Sequence, residues 1–329
     1  MRAVREAGYA NLMTEFGYFL SSEELSPQEL LRTAQLAESA GFDRIWISDH
    51  YHPWTREQGE SAFVWSVIGA IAATTDLHIT TAVTCPTDRV HPAVLAQAAA
   101  TVASLAPGRF SFGVGSGERL NEHILGGLWP PASIRLQRLE EAISVIRELW
   151  KGETVTHRGE HYTVDAARIF SLPEELPPIL VSGFGPAATD LAARIGDGWI
   201  TVQPDGELLT RYREGGGRGV TQGGVKICWA ASADDAAKTA YRLWGFEAVG
   251  GQSAQDLPSW VEFEQLGEAT SPEQVAQTVP CGPDPERAAA SIQAYADAGF
   301  DEVYVSQMGP DQEGGIRFLT DDVLPRLRG

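Results

Sequence analysis

The stretch EFGYFLSSEELSPQELLRTAQLAESAGFDRIWIS, residues 15–48, decides the fold. Its ends, EFGYFL (15–20) and DRIWIS (43–48), are short runs rich in aromatic and β-branched residues, as strands require. Between them SPQELLRTAQLAESAG carries helix punctuation: Ser26 reads as the N-cap, Pro27 as the first helical position and Gly41 as the C-terminal stop. Strand, helix and strand in that order make one β/α unit, whose two strands lie parallel.

The same alternation recurs along the chain. Further strand candidates are HITTAVT (78–84), RFSFGV (109–114), PILVSG (178–183), GWITV (198–202), VKICWA (225–230) and DEVYVSQ (301–307), which brings the number to eight. Eight β/α units form a (β/α)8 TIM barrel in about 250 residues. The chain has 329, so insertions are expected. They are placed at 151–175, which reads as a small hairpin, and at 245–283, which is rich in Gly, Pro and acids. Residues 1–12 read as a poorly ordered leader, and 13–329 as one α/β barrel domain with those insertions. GGGRGVTQGG (215–224) reads as a flexible loop. The alternative, an open doubly wound sheet, calls for a Gly-rich turn after an early strand, and none is present.

Composition narrows the partners. Forty-four acids against 25 Lys and Arg give a net charge of -19, which repels nucleic acid and anionic membranes. No segment approaches the length of a membrane span, and the N-terminus lacks a signal-like apolar core. Three widely spaced cysteines, Cys85, Cys228 and Cys281, argue for reduced thiols in a cytoplasmic enzyme or binding protein; a small-molecule substrate is the expected partner.

In such a barrel the chemistry lies just beyond the C-terminal ends of the strands. WISDHYHPW (46–54) is so placed after the second strand. Asp49 and His50 are either functional or part of a capped, solvated loop. His50 and His52 raise a metal-dependent hydrolase, but the later strands run into VSGFGP, ITVQPD and VSQMGP, without the further histidines and aspartate that such a site uses; no metal is expected. GVGSGERLNEHILG (113–126) fits neither nucleotide-binding glycine motif. Its small residues let a flat ligand approach the backbone, with Glu118 and Asn121 beside it; the structural alternative is capping by Ser116 and a helix-dipole role for Glu118. In SGFGPAATDLAARIGDGW (182–199) a Gly-rich turn opens a helix whose free N–H groups can hold a phosphate. His91, with Pro92 after it, reads as a helix start; His157 and His161 read as surface residues. Cys228 reads as a buried thiol, and Cys85, at the end of the third strand, as bordering the pocket.

Taken together, EFGYFLSSEE, WISDHYHPW, TCPTDRVHPAVLAQAAAT, GVGSGERLNEHILG, VSGFGPAATDLAARIGDGW and CGPDPE resemble the luciferase-like flavin and deazaflavin oxidoreductases, most closely the coenzyme F420-dependent glucose-6-phosphate dehydrogenase group. The resemblance implies a deazaflavin in the barrel mouth, and a homodimer as in the family generally. It implies that Asp49 contacts the cofactor head group, that His50 is the general base, and that Trp54 shapes the substrate pocket. Ser116, Gly117 and Glu118 would lie against the ring system, with Glu118 as proton donor and Asn121 as a polar contact. Ala82 and Val83 correspond to a non-prolyl cis peptide behind the ring, and Cys85 borders it. Ser182, Gly183, Phe184 and Gly185 would line the cofactor phosphate. In one respect the chain departs from sugar-phosphate-oxidising members. Asp205 stands where a lysine is expected to hold the substrate phosphate, which points to a neutral alcohol or a reducible carbonyl. An FMN-dependent monooxygenase on the same barrel is the alternative, and a non-catalytic binding protein a further one.

Overall fold

The computed structural model describes residues 14–249, 251 and 253–327. The leader proposed at 1–12 lies outside the described residues. In chain order the strands are β1 (Glu15–Leu20), β2 (Arg44–Ile47), β3 (His78–Thr81), β4 (Phe110–Val114), β5 (Val155–Arg158), β6 (Thr163–Ala167), β7 (Ile179–Ser182), β8 (Gly198–Thr201), β9 (Val220–Ile227) and β10 (Glu302–Gln307). Eight of them close into a parallel barrel, β1-β10-β9-β8-β7-β4-β3-β2. The expected hairpin insertion is the antiparallel pair β5 and β6.

Helices cover the barrel: α1 (Pro27–Ser39), α2 (Val64–Thr74), α3 (Pro92–Leu105), α4 (Arg119–Glu122), α5 (Ala132–Leu149), α6 (Pro186–Ile195), α7 (Gly206–Glu214), α8 (Ala233–Trp244), α9 (Ser253–Asp256), α10 (Trp260–Glu268), α11 (Pro272–Thr278), α12 (Pro285–Ala298) and α13 (Gln312–Arg317). The start of α1 is as its sequence predicts. The Ser26 side chain accepts from the Glu29 N–H, and the Glu29 carboxylate accepts from the Ser26 N–H, which satisfies two donors that a helix start leaves open. Gly41 follows with φ +96, a left-handed conformation that costs glycine little. His91 caps α3 by accepting from the Ala93 N–H, so its role at a helix start holds.

One strand departs from its expected position. The reading 225–230 starts too late, because β9 already begins at Val220 within the tract taken for a loop. Its glycines are there for space. A Cβ on Gly223 would clash with the ring of Tyr295 on α12, and one on Gly224 with the edge of the Trp46 ring. Glycine lowers apparent strand propensity, and here it is what lets the rings approach.

Inside the barrel Trp46 and Tyr304 stack with ring centroids 4.6 Å apart and 12° between planes. Gln222 joins them, accepting from Trp46 Nε1 at 2.8 Å and lying 3.2 Å from the Tyr304 hydroxyl. Leu180 and Ile200 complete this plug, with Phe19, Ala82 and Val83 against it. Below it, Arg44 pairs with Glu15, Asp43 and Glu302 at the N-terminal end. The second insertion is mainly helical. Phe263 of α10 and Val275 of α11 pack with Leu243, Trp244 and Phe246, and Trp54 joins them from the mouth.

Because the Gly224 position is filled by the Trp46 ring, Gly224→Ala overpacks the barrel and costs roughly 1–3 kcal/mol. A thermal melt should place its Tm several degrees below that of the parent; an unchanged Tm would show that the plug yields freely.

Candidate active site

The site grows from two strand ends that hydrogen bonds tie together. Beyond β1 and β2, the Ser22 N–H donates to Ser48 Oγ and Ser22 Oγ donates to the Ser48 carbonyl, both at 2.9 Å. Ser48 Oγ donates in turn to Glu23 Oε2 at 2.7 Å, and Ser21 Oγ to the same oxygen at 2.9 Å. Glu23 is therefore fixed, with Oε1 turned toward His50 Nε2 at 3.3 Å. From the other side Glu118 Oε2 approaches that nitrogen to 3.4 Å. The imidazole is nearly buried and lies 4.8 Å, centroid to centroid, from the Trp54 ring. His50 Nδ1 is a buried atom with no protein partner.

Asn121 holds this arrangement. Its Oδ1 accepts from the Tyr51 and His52 N–H groups at 2.9 and 3.2 Å, while its Nδ2 donates to Glu118 Oε2 at 3.1 Å. In this structure its contacts go to protein, which makes it a brace between two loops. His52 turns away from His50, its Nδ1 3.0 Å from the Leu120 carbonyl and its ring stacked on His123. Among the described residues no group of three His, Cys, Asp or Glu side chains is arranged to hold a metal.

Asp49 lies deeper. Its carboxylate accepts from Thr84 Oγ1 at 2.6 Å and from Arg89 Nη2 at 2.7 Å. Arg89 also faces Glu122, which accepts from the N–H groups of Asp88 and Arg89 at 3.1 and 2.7 Å. Burial pushes Glu122 upward, and the Arg89 amide and guanidinium, then the Asp88 amide and Thr87 hydroxyl, pull it back. This paired cluster supports the wall formed by β3 and β4. The peptide between Ala82 and Val83 is cis, as the resemblance implied. A side chain at Gly115 would strike Val83, and Gly117 has φ +90 beside Glu122, so this turn stays flat against the mouth. Cys85 is packed near Gly115. Burial, then Glu122 and Glu118, push its thiol well up, so it remains protonated. Ser116 is half-buried and makes no capping bond; α4 begins after Glu118 without one.

Across the mouth, β7 ends at Ser182 and leads through Gly183, Phe184 and Gly185 into α6. Helices α1, α3, α7, α8 and α12 have a side-chain cap, whereas α2, α5, α6 and α10 have none. At α6 the N-cap is Gly185, which has none, and open space surrounds it. Its first-turn N–H groups are thus available to an anion.

The luciferase-like monooxygenase family profile matches residues 11–302, and the chain belongs to that family. Among its relatives, the F420-dependent glucose-6-phosphate dehydrogenase of Microbacterium testaceum (strain StLB037) is 38% identical over 327 residues, covering 95% of this chain and 97% of the relative. That of Mycobacterium avium (strain 104) is 35% identical over 329 residues, covering 95% and 98%. A solved F420-dependent secondary alcohol dehydrogenase, in complex with an F420-acetone adduct, superposes with a TM-score of 0.88 at 29% identity, covering 96% of this chain and all of that one. The coenzyme F420-dependent tetrahydromethanopterin reductase from Methanopyrus kandleri shares the fold, with a TM-score of 0.77, 19% identity and coverage of 96% and 99%.

Sequence reasoning missed Glu23, Glu24, Arg89 and Glu122. For the two glutamates a signal was present, since SSEE follows the first strand as WISDHYHPW follows the second. Glu24 binds away from His50: it accepts from Trp244 Nε1 and from the Gly309 N–H, both at 2.7 Å. Burial raises its carboxyl from the usual 4.5 to about 7, against the pull of those two donors. A raised carboxylate favours folding while protonated. Its contribution is full below about 4.5 and is lost as pH rises toward about 7. The Tm of Glu24→Gln relative to the parent should therefore climb between pH 5 and pH 8. A difference that stays constant with pH would show that Glu24 has no such linkage.

Proposed function

We propose that this chain is a coenzyme F420-dependent oxidoreductase that exchanges a hydride with a small neutral alcohol or carbonyl compound. The observation that carries the reading is His50 Nε2 poised between Glu23 and Glu118 at the barrel mouth. The residues around it suit a flat, phosphate-bearing cofactor: the Gly115–Gly117 turn leaves a smooth wall, and the uncapped start of α6 offers N–H donors. When bound, the deazaflavin supplies the two-electron acceptor or donor.

The protein's part is proton handling and orientation. As an alcohol C–H leaves with its electron pair, the O–H proton must go to a base. His50 Nε2 receives it, and the flanking carboxylates stabilise the resulting cation by Coulomb attraction. Glu118, half-buried on the rim and oriented by Asn121, would supply the one proton that the cofactor takes up on reduction, so that one proton leaves the alcohol for His50 and one leaves Glu118. Trp54 closes one side of the substrate space. In the reverse direction His50 returns its proton to the carbonyl oxygen.

Asp205 supports an uncharged substrate. It caps α7, its Oδ1 accepting from the Glu207 and Leu208 N–H groups at 2.9 Å, and so keeps a carboxylate beyond β8. The relatives named as glucose-6-phosphate dehydrogenases make that sugar phosphate the necessary comparison substrate. Free thiols at all three cysteines suit a cytoplasmic location.

The test begins with titration of the purified chain with F420 and FMN, followed by turnover assays with neutral secondary alcohols and glucose 6-phosphate. F420 should bind more tightly. Tight FMN binding with oxygen consumption would favour the monooxygenase reading instead. His50→Ala should lose at least about two orders of magnitude in kcat, the usual share of a general base, while F420 binding is largely kept. Retained turnover would remove His50 from the chemistry.

Self-association as a homodimer is part of the same reading. The exposed residues of α2 (Ser66, Ala70, Ala73, Thr74) and of the neighbouring α3 (Val94, Gln97, Thr101, Ser104, Leu105) carry no charge, which is unusual on so acidic a chain and suits an isologous contact. Light scattering should report a dimer for the parent and a monomer for Ala70→Arg/Thr101→Arg. Identical masses would place any interface elsewhere.

A further inference from the structure

The reaction proposed above leaves unused a charged pair on the far side of the mouth. Along β9 successive side chains alternate between faces. Gln222 reaches Trp46 and Tyr304 inside the barrel, and Gly224 faces the Trp46 ring. Lys226 is next on that inward face, at the C-terminal end. Among the described residues it is the one cation that any barrel strand carries at this end.

Lys226 is not free. Its ammonium lies 4.2 Å from the centroid of the Trp244 ring and is ion-paired with Glu247. The two side chains are 27% and 28% exposed, so the pair is within reach of solvent and only partly screened. Glu24, held by Trp244, is the other acid near the ammonium. The pair also connects to the reacting base. Glu247 follows Phe246, whose ring is 5.5 Å from that of Trp54, and Trp54 is 4.8 Å from His50. An aromatic wall thus runs from the base to the ion pair.

We propose that Glu247 is a specificity-determining residue, an internal carboxylate that occupies Lys226 and so turns anionic substrates away. This rests on the oxidoreductase reading for its consequence, though the charge argument concerns this chain alone. A phosphate-bearing substrate lying along the wall would meet the Glu247 carboxylate before it could pair with Lys226, whereas a neutral alcohol meets no such opposition. Specificity here comes from repulsion built against the wrong ligand. Removing the acid leaves a partly buried cation without its counter-charge, which is a receptor for an oxyanion.

The decisive experiment needs no cofactor. Inorganic phosphate is titrated at low ionic strength, by calorimetry and by tryptophan fluorescence, into the parent, Glu247→Gln, and Glu247→Gln/Lys226→Met. Glu247→Gln should bind phosphate about tenfold or more tightly than the parent, with affinity falling as salt is added, and the double variant should lose that gain. Glu247→Ala provides a second route to the same neutral site should the amide fold poorly. No gain in either single variant overturns the proposal, as does a gain that survives loss of Lys226, or a parent that already binds phosphate as tightly. With F420 added, the ratio of kcat/KM for glucose 6-phosphate to that for a neutral secondary alcohol should rise about tenfold in Glu247→Gln. If no variant turns over any alcohol with F420, the oxidoreductase reading fails while the phosphate titration still decides the role of Glu247.

Discussion

The stacked rings of Trp46 and Tyr304 are the contact on which the rest of the structure depends. Two large side chains share the barrel interior because Gly17 and Gly224 present no Cβ where those rings lie. Gln222 then ties both rings to Glu302 at the N-terminal end. A close-packed interior cannot shift by a fraction of a side chain without losing dispersion contacts. The plug therefore sets the level at which each strand ends, and with it the height of every residue in the mouth.

From that level the site is built by hydrogen bonds between strand ends. Ser22 and Ser48 lock the β1 and β2 ends together, Glu23 is aimed by Ser21 and Ser48, and Asn121 carries the same order over to Glu118. His50 is thus held by residues from three separate β/α units. Such bracing fixes the orientation of the imidazole. The opposite wall is built on the same plan with other materials: the helical insertion brings Phe246 and Glu247 against Trp54 and Lys226, so a part of the chain outside the core barrel forms that side of the mouth.

Much of the fold was legible because its signals are local. Ser26 and Pro27 mark a helix start through their own hydrogen bonds and fixed φ, and Gly41 marks its end by tolerating a left-handed backbone. Apolar runs mark strands because both faces of a parallel barrel strand are covered. β9 failed this reading for a physical reason. Gly223 and Gly224 lower strand propensity, but Tyr295 and Trp46, distant in sequence, fill the space they leave. The site was legible in part as well. His50, Glu118 and Trp54 follow strands and come together; Glu23 obeys the same rule but makes its contact only when β1 and β2 pair. Arg89, Glu122 and Lys226 could not be read at all, because each takes its meaning from an acid or base brought from another segment.

By itself, then, the sequence determined the alternation of strand and helix, the number of barrel strands and, outside β9, which residues stand near strand ends, since these follow from periodicity and capping within a few positions. Family membership was also readable from short motifs spread along the chain. Only the tertiary structure decided which carboxylates face His50, that Asn121 braces two loops, that Asp205 caps a helix, and that Lys226 is already occupied. Those are distances between segments far apart in the chain, and they exist only once the barrel has closed.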